Sequence, residues 1–198
     1  GAFANVSNPD GRTDAQFYMS AYTFALGDDN HPVPLNSIDK LPGISIYGQL
    51  LRLTSEGSIH ITAPGLDAPA DIQPNWLSTE EDRQSAITLI RYMRRYAEQE
   101  PIRGLIDREL LPGAARTTDE ELLESFRRLS TSGLHGVGTC RMGNDSSSVT
   151  DPQLRVRGVR GLRVADCSVM PSLVTGNTNA PAMALGLRAS ALILADRP

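Results

Sequence analysis

The chain is poor in cysteine, in positive charge and in long apolar runs. Among its 198 residues there are two cysteines, Cys140 and Cys167. That is too few for a disulfide scaffold. No Cys-x-x-Cys or His-x-x-His spacing accompanies them, so a zinc site is excluded as well. Both read as free thiols, which points to a reducing, cytoplasmic compartment. The formal net charge is −4, so there is no basic surplus to offer a nucleic acid or an anionic membrane. No apolar run approaches the roughly 20 residues that a membrane span needs. Residues 1–14 lack the charged start and apolar core of a signal peptide. The chain opens on Gly1 and not on methionine, which reads as a cut or truncated polypeptide. Internal repeats and low-complexity segments are missing too.

What is present is an ordinary globular composition, 40% hydrophobic and 21% charged, sufficient for one domain or two small ones. Aromatics crowd residues 14–26 (Phe17, Tyr18, Tyr22, Phe24) and predict a strand or two. Residues 27–42, rich in Gly, Asp, Asn and Pro, read as a loop. Residues 44–53 and 58–62 read as the arms of a hairpin turning at Thr54-Ser55-Glu56-Gly57, with Gly57 supplying the permissive backbone. Ile59 and Ile61 alternate with polar neighbours, as in a half-buried strand. After a proline-punctuated connector over 64–76, Ser78-Thr79-Glu80-Glu81 reads as a capping box. Ala86, Ile87, Ile90, Met93 and Ala97 follow at helical spacing and predict a helix over 79–99. A second box, Thr118-Asp119-Glu120-Glu121, precedes Leu122, Leu123 and Phe126. Residues 133–143 form a glycine-rich loop, 154–156 and 162–165 short strands, and 180–195 a buried helix opening near Pro181. The class expected is α+β: an antiparallel sheet with helices on one face, then a C-terminal strand and helix.

The residues with chemical potential lie in three late blocks. His135 stands in the run Leu134–His135–Gly136, where sparse side chains would let the backbone approach a flat ring. Histidine exchanges a proton near neutral pH, and a general base must reach the proton it takes. The bland alternative is an ordinary core or surface histidine. Asn177 and Asn179 each offer an acceptor and two donors on one amide. Opposite a histidine, such an amide can hold a hydroxyl and the alkoxide formed as its proton leaves. Helix capping is the competing job for either, and local chemistry does not choose between them. Asp166 ends a strand, where polar residues of α/β sheets meet ligands; a turn-forming role is its alternative. The helix near Pro181 would aim unpaired N–H groups and its positive dipole end at an electron-rich atom. Arg52 and Arg141 read as solvated, and His31 and His60 have no second ligand or base near them. Phe17, Tyr18, Tyr22, Phe24, Tyr47 and Trp76 could line an apolar pocket, although aromatic strand residues more often build a core.

These blocks resemble the C-terminal signature of the glucose–methanol–choline (GMC) family of flavin oxidoreductases. The resemblance rests on His135, Gly138-Thr139-Cys140-Arg141-Met142-Gly143, Asp151-Pro152, Leu154-Arg155-Val156, Gly158-Val159, Leu162-Arg163-Val164, Asp166, Ser168, Met170-Pro171 and Gly176-Asn177-Thr178-Asn179-Ala180-Pro181. Upstream, Arg52–Ile59 and Pro74–Ser78 are also similar to the family, and residues 1–42 resemble it least. The resemblance implies FAD as cofactor and oxidation of an alcohol to a carbonyl, with His135 as catalytic base. It implies Asn179 as its partner, Asn177 being the alternative. Leu134, Asp166, Cys167, Asn177 and Thr178 would lie at the FAD. Residues 1–130 would be the substrate-binding domain. Residues 131–198 would be the C-terminal portion of the FAD-binding domain, completing a Rossmann-like fold. The family's Gly-x-Gly-x-x-Gly phosphate-binding turn has no counterpart in the chain. An N-terminal FAD-binding fragment or chain of the same enzyme is therefore the implied partner. A flavin-containing hydroxynitrile lyase and an inactive fragment are the alternative functions.

Overall fold

The computed structural model describes residues 1–8, 10–24 and 37–196. Most of the expected loop over 27–42, including His31, lies outside the described residues. The chain divides into two compact units, Gly1–Ser55 with Leu77–Ser132, and Glu56–Trp76 with Gly133–Pro198. Both units mix helices with short antiparallel strands or bridges.

In the first unit, β1 (Ala2–Ala4), β2 (Ala15–Ser20) and β3 (Ser45–Leu50) form an antiparallel sheet in the order β1-β2-β3. Two helices belong to the same unit, α1 (Glu80–Ala97) and α2 (Asp119–Leu129). α1 packs on the sheet because Ala86 and Leu89, three residues apart, share one helix face with Ala15, Leu50 and Val6 as partners. The approach is close at Gly48, where an added Cβ would meet the Leu89 side chain at 2.9 Å. The neighbouring face of α1 buries Ile87 and Ile90 against Leu122 of α2. Each fully buried leucine in this core stabilises by about 1.5–3 kcal/mol. Acidic residues open α1 and α2 and arginines close them, which complements the helix dipoles. Aromatics of this unit pair with one another. Phe17 stacks on Tyr92 within the core, Tyr18 on Tyr47, and Tyr22 meets Phe24 edge-on.

The expected hairpin about residues 54–57 is not what forms. β3 pairs with β2, and β4 (Ser58–His60) pairs with β5 (Asp71–Gln73), which falls inside the supposed connector. Asp82 is the physical reason. Its carboxylate accepts from the Thr54 and Ser55 amides at 2.8 and 2.9 Å. The segment is held to the start of α1 and does not fold back. Gly57 is still required, for a different reason: a Cβ there would lie 2.3 Å from the Gln73 carbonyl oxygen. The strand is not half-buried, since Ile59, Ile61 and Ile72 are all exposed. α1 also starts one residue later than its predicted capping box. Thr79, not Ser78, is the cap, and it accepts from the Asp82 amide. The second box forms as expected, Thr118 and Glu121 capping each other.

The second unit holds the β4–β5 hairpin, a bridged loop region and α3 (Asn179–Ala195). The expected strands reduce to isolated bridges, Thr150↔Val156 and Arg155↔Arg163. A small core joins Leu154, Val169 and Ala189 of α3. Arg155 and Arg163 both bind Asp196, the residue capping the end of α3. The helix was expected to be buried, yet only Ala189 of α3 is. Met183 and Leu187 are 70% and 77% exposed, because the second unit offers this helix one small contact surface. No helix among the described residues is long and apolar enough to cross a membrane.

Candidate active site

Three backbone features deliver His135. Leu134 takes φ 58°, and Gly138 φ 92°. Gly138 adopts the left-handed region freely, whereas a leucine there stores about 1–3 kcal/mol of strain. The loop is then stitched to the turn that follows Asp166. Cys140 donates to the Ser168 carbonyl at 2.9 Å and Met142 to the Val169 carbonyl at 2.8 Å. Arg141, expected to be merely solvated, forks onto both Asp145 oxygens at 2.7 and 2.9 Å. The Arg141 guanidinium holds the Asp145 carboxyl far below the usual carboxylate range, with Ser147 and Ser148 assisting.

His135 is half-buried, and both ring nitrogens are engaged by the turn ahead of α3. Its Nδ1 lies 2.8 Å from Thr178 Oγ1. Its Nε2 lies 3.0 Å from Asn177 Nδ2. The structure thus brings Asn177 and Thr178 onto His135 and leaves Asn179 apart. Asn179 is already the first residue of α3 and sits exposed on the helix. Residues 177 and 178 precede the helical turn and reach back toward the loop. Local chemistry alone did not separate two amides two residues apart, and the resemblance favoured Asn179.

Asp166 takes the turn-forming role that was its alternative reading. One carboxylate oxygen accepts from the Ser168 amide at 2.8 Å, capping the short 3-10 turn Cys167–Val169. The bonds from Ser168 keep its carboxyl below the usual range, so it is ionised at neutral pH, and the residue remains exposed. Cys140 and Cys167 are free and half-buried. Among the described residues no cluster of His, Cys, Asp and Glu could hold a metal ion. α3 begins without a side-chain cap, and Pro181 has no N–H to leave unpaired.

A mixed α/β fold with antiparallel sheets is what known proteins share with this chain. The GMC oxidoreductase family model matches residues 54–186, a span that includes His135 and Asn177. The chain belongs to the GMC oxidoreductase family. It is 42% identical over 154 residues to the alcohol dehydrogenase (acceptor) of Pseudomonas putida, covering 75% of this chain and 28% of that protein. An FAD-dependent oxidoreductase from Chaetomium thermophilum superposes with a TM-score of 0.73 at 32% identity, covering 78% of this chain and 27% of the other. Pyridoxine 4-oxidase from Mesorbium loti shares the fold over 100% of this chain and 38% of its own, with a TM-score of 0.86 at 24% identity. The chain therefore spans well under half the length of the relatives it matches.

Proposed function

We propose that this chain carries the catalytic pair of an FAD-dependent alcohol oxidoreductase, with His135 as general base and Asn177 as the amide that positions the alcohol oxygen. The observation that carries this reading is the 3.0 Å approach of Asn177 Nδ2 to His135 Nε2. A substrate hydroxyl entering between them donates its proton to Nε2 and accepts from the amide. His135 then holds the proton, and the amide N–H steadies the alkoxide, a donor aimed at developing charge. Bound FAD would supply the acceptor for the hydride that leaves the carbinol carbon as His135 holds the hydroxyl proton. The residues present fit its ring end. The uncapped start of α3 offers backbone N–H groups and a positive dipole end. On this reading Leu134, Asp166, Cys167, Asn177 and Thr178 would lie at the FAD. The sequence contains no glycine-rich phosphate turn, so an N-terminal FAD-binding part of the same enzyme supplies that half. On this reading residues 1–130 bind substrate and 131–198 complete the Rossmann-like FAD domain. Its compact unit joins the hairpin Glu56–Trp76 to that second portion. The alcohol specificity follows the Pseudomonas putida relative, and two free thiols suit a cytoplasmic setting.

The test is anaerobic flavin reduction by alcohol in the FAD-loaded enzyme with its N-terminal FAD-binding part present. His135→Ala should slow it by about 10²–10⁴-fold, and Asn177→Ala by about 10²–10³-fold. Asn179→Ala should change it little. An unaltered rate in His135→Ala would refute the mechanism, and a larger loss in Asn179→Ala would return the amide's role to Asn179. Flavin that stays oxidised with every alcohol would leave the lyase chemistry standing instead.

A further inference from the structure

We propose that Thr178 is a positioning residue that fixes the tautomer and ring orientation of His135. The inference rests on His135 being the base. A primary amide nitrogen only donates. Asn177 Nδ2, 3.0 Å from Nε2, therefore requires the lone pair on Nε2. A neutral imidazole then carries its proton on Nδ1, which lies 2.8 Å from Thr178 Oγ1. The hydroxyl accepts that N–H. Turning the ring over would set carbon atoms against both partners, so the two contacts together select one orientation and one tautomer, the one with a free base at Nε2. Once Nε2 takes a proton, the same hydroxyl accepts a charged N–H, a stronger bond. The grip comes from two consecutive residues, so the turn that opens α3 sets both ends of the ring at once.

A second observation shows where the hydroxyl is committed. Thr178 occupies the N-cap position of α3, where threonine ordinarily accepts from the first helical N–H groups. Here it makes no side-chain cap, and its backbone sits at φ −83°, ψ −6°, not in the extended conformation of a capping residue. The hydroxyl faces His135 instead. Replacing it with an isosteric methyl should therefore act on the histidine and not on the helix.

The experiment compares Thr178→Val and Thr178→Ser in the FAD-loaded enzyme with its N-terminal FAD-binding part present. The tautomer of His135 is read by ¹⁵N chemical shifts, which need no turnover. Wild type and Thr178→Ser should show protonated Nδ1, and Thr178→Val a mixture of tautomers. Thermal stability should stay near wild type in both. The flavin-reduction rate at saturating alcohol should fall by about tenfold or more in Thr178→Val, in the range of outer partners of functional histidines. KM should be unchanged, and Thr178→Ser should recover the rate. A wild-type tautomer signature in Thr178→Val would overturn the proposal. So would a large loss of thermal stability with an unchanged signature, which would make Thr178 a structural residue. A changed signature with an unchanged rate would uphold the clamp on the ring and overturn its part in the rate, placing the failure with His135 as base.

Discussion

Asp82 shows how much one side chain can decide. It is 1% exposed, yet its carboxylate is fully supplied with donors. Thr54 gives its amide and hydroxyl at 2.8 and 3.0 Å, and Ser55 its amide at 2.9 Å. Burial pushes this carboxyl up, and the bonds from Ser55 and Thr54 together outweigh it, leaving it below its ordinary value. A depressed carboxyl stabilises the fold above its unfolded value of about 3.9 and loses that contribution as pH falls through the folded value. Urea unfolding should therefore weaken on acidification below about pH 4. Asp82→Asn should cost about 1–3 kcal/mol at neutral pH, since its NH₂ would face a donor, and should flatten the acid limb. Identical acid limbs in the two proteins would refute this role. The sequence reading singled out the boxes around Asp82 and not Asp82, whose partners lie 27 and 28 residues away. Histidine with a nearby amide was legible as chemistry. That Asn177 and Thr178 are the side chains in contact with its two ring nitrogens depended on where the helix begins.

At the level of elements, periodicity and capping carried most of the information. The apolar spacing of α1 and α2 and the Thr118 box matched what formed, because these signals act within a few residues. The box at Ser78 shifted by one residue because Ser55 Oγ accepts from the Ser78 amide at 3.0 Å, and Thr79 takes over the cap. Alanine substitutions separate the two registers. Thr79→Ala and Thr118→Ala should each lower unfolding free energy by about 1 kcal/mol, while Ser78→Ala should stay within about 0.5 kcal/mol of wild type. A loss in Ser78→Ala equal to that in Thr79→Ala would restore the predicted register. Strand pairing was less legible. Residues 44–62 carry strand-forming composition on both sides of a plausible turn, and only a contact to a distant aspartate shows that they belong to different pairs and different compact units.

At the scale of the whole molecule, the second unit exposes large apolar side chains along α3 and around the β4–β5 hairpin (Ile61, Leu66, Met183, Leu187). α3 is apolar on all sides and buries one residue, a pattern that fits a helix made to be surrounded. On the proposed reading the N-terminal FAD-binding part surrounds it. Titrating FAD into the 198-residue chain alone, followed by flavin fluorescence, should give weak or undetectable binding. A tight one-to-one complex would overturn that division of the cofactor site. Leu187→Lys should shift the stability of the isolated chain by less than about 0.5 kcal/mol, because its side chain is 77% exposed. The sequence by itself determined the family and the helices, and it singled out His135 as the proposed base, since motif, period and cap are encoded in neighbouring residues. Only the tertiary structure decided that Asn177 and Thr178 grip His135 and that the strand after β3 leaves for another unit. Those outcomes depend on hydrogen bonds between residues far apart in the chain, whose partners no local pattern names.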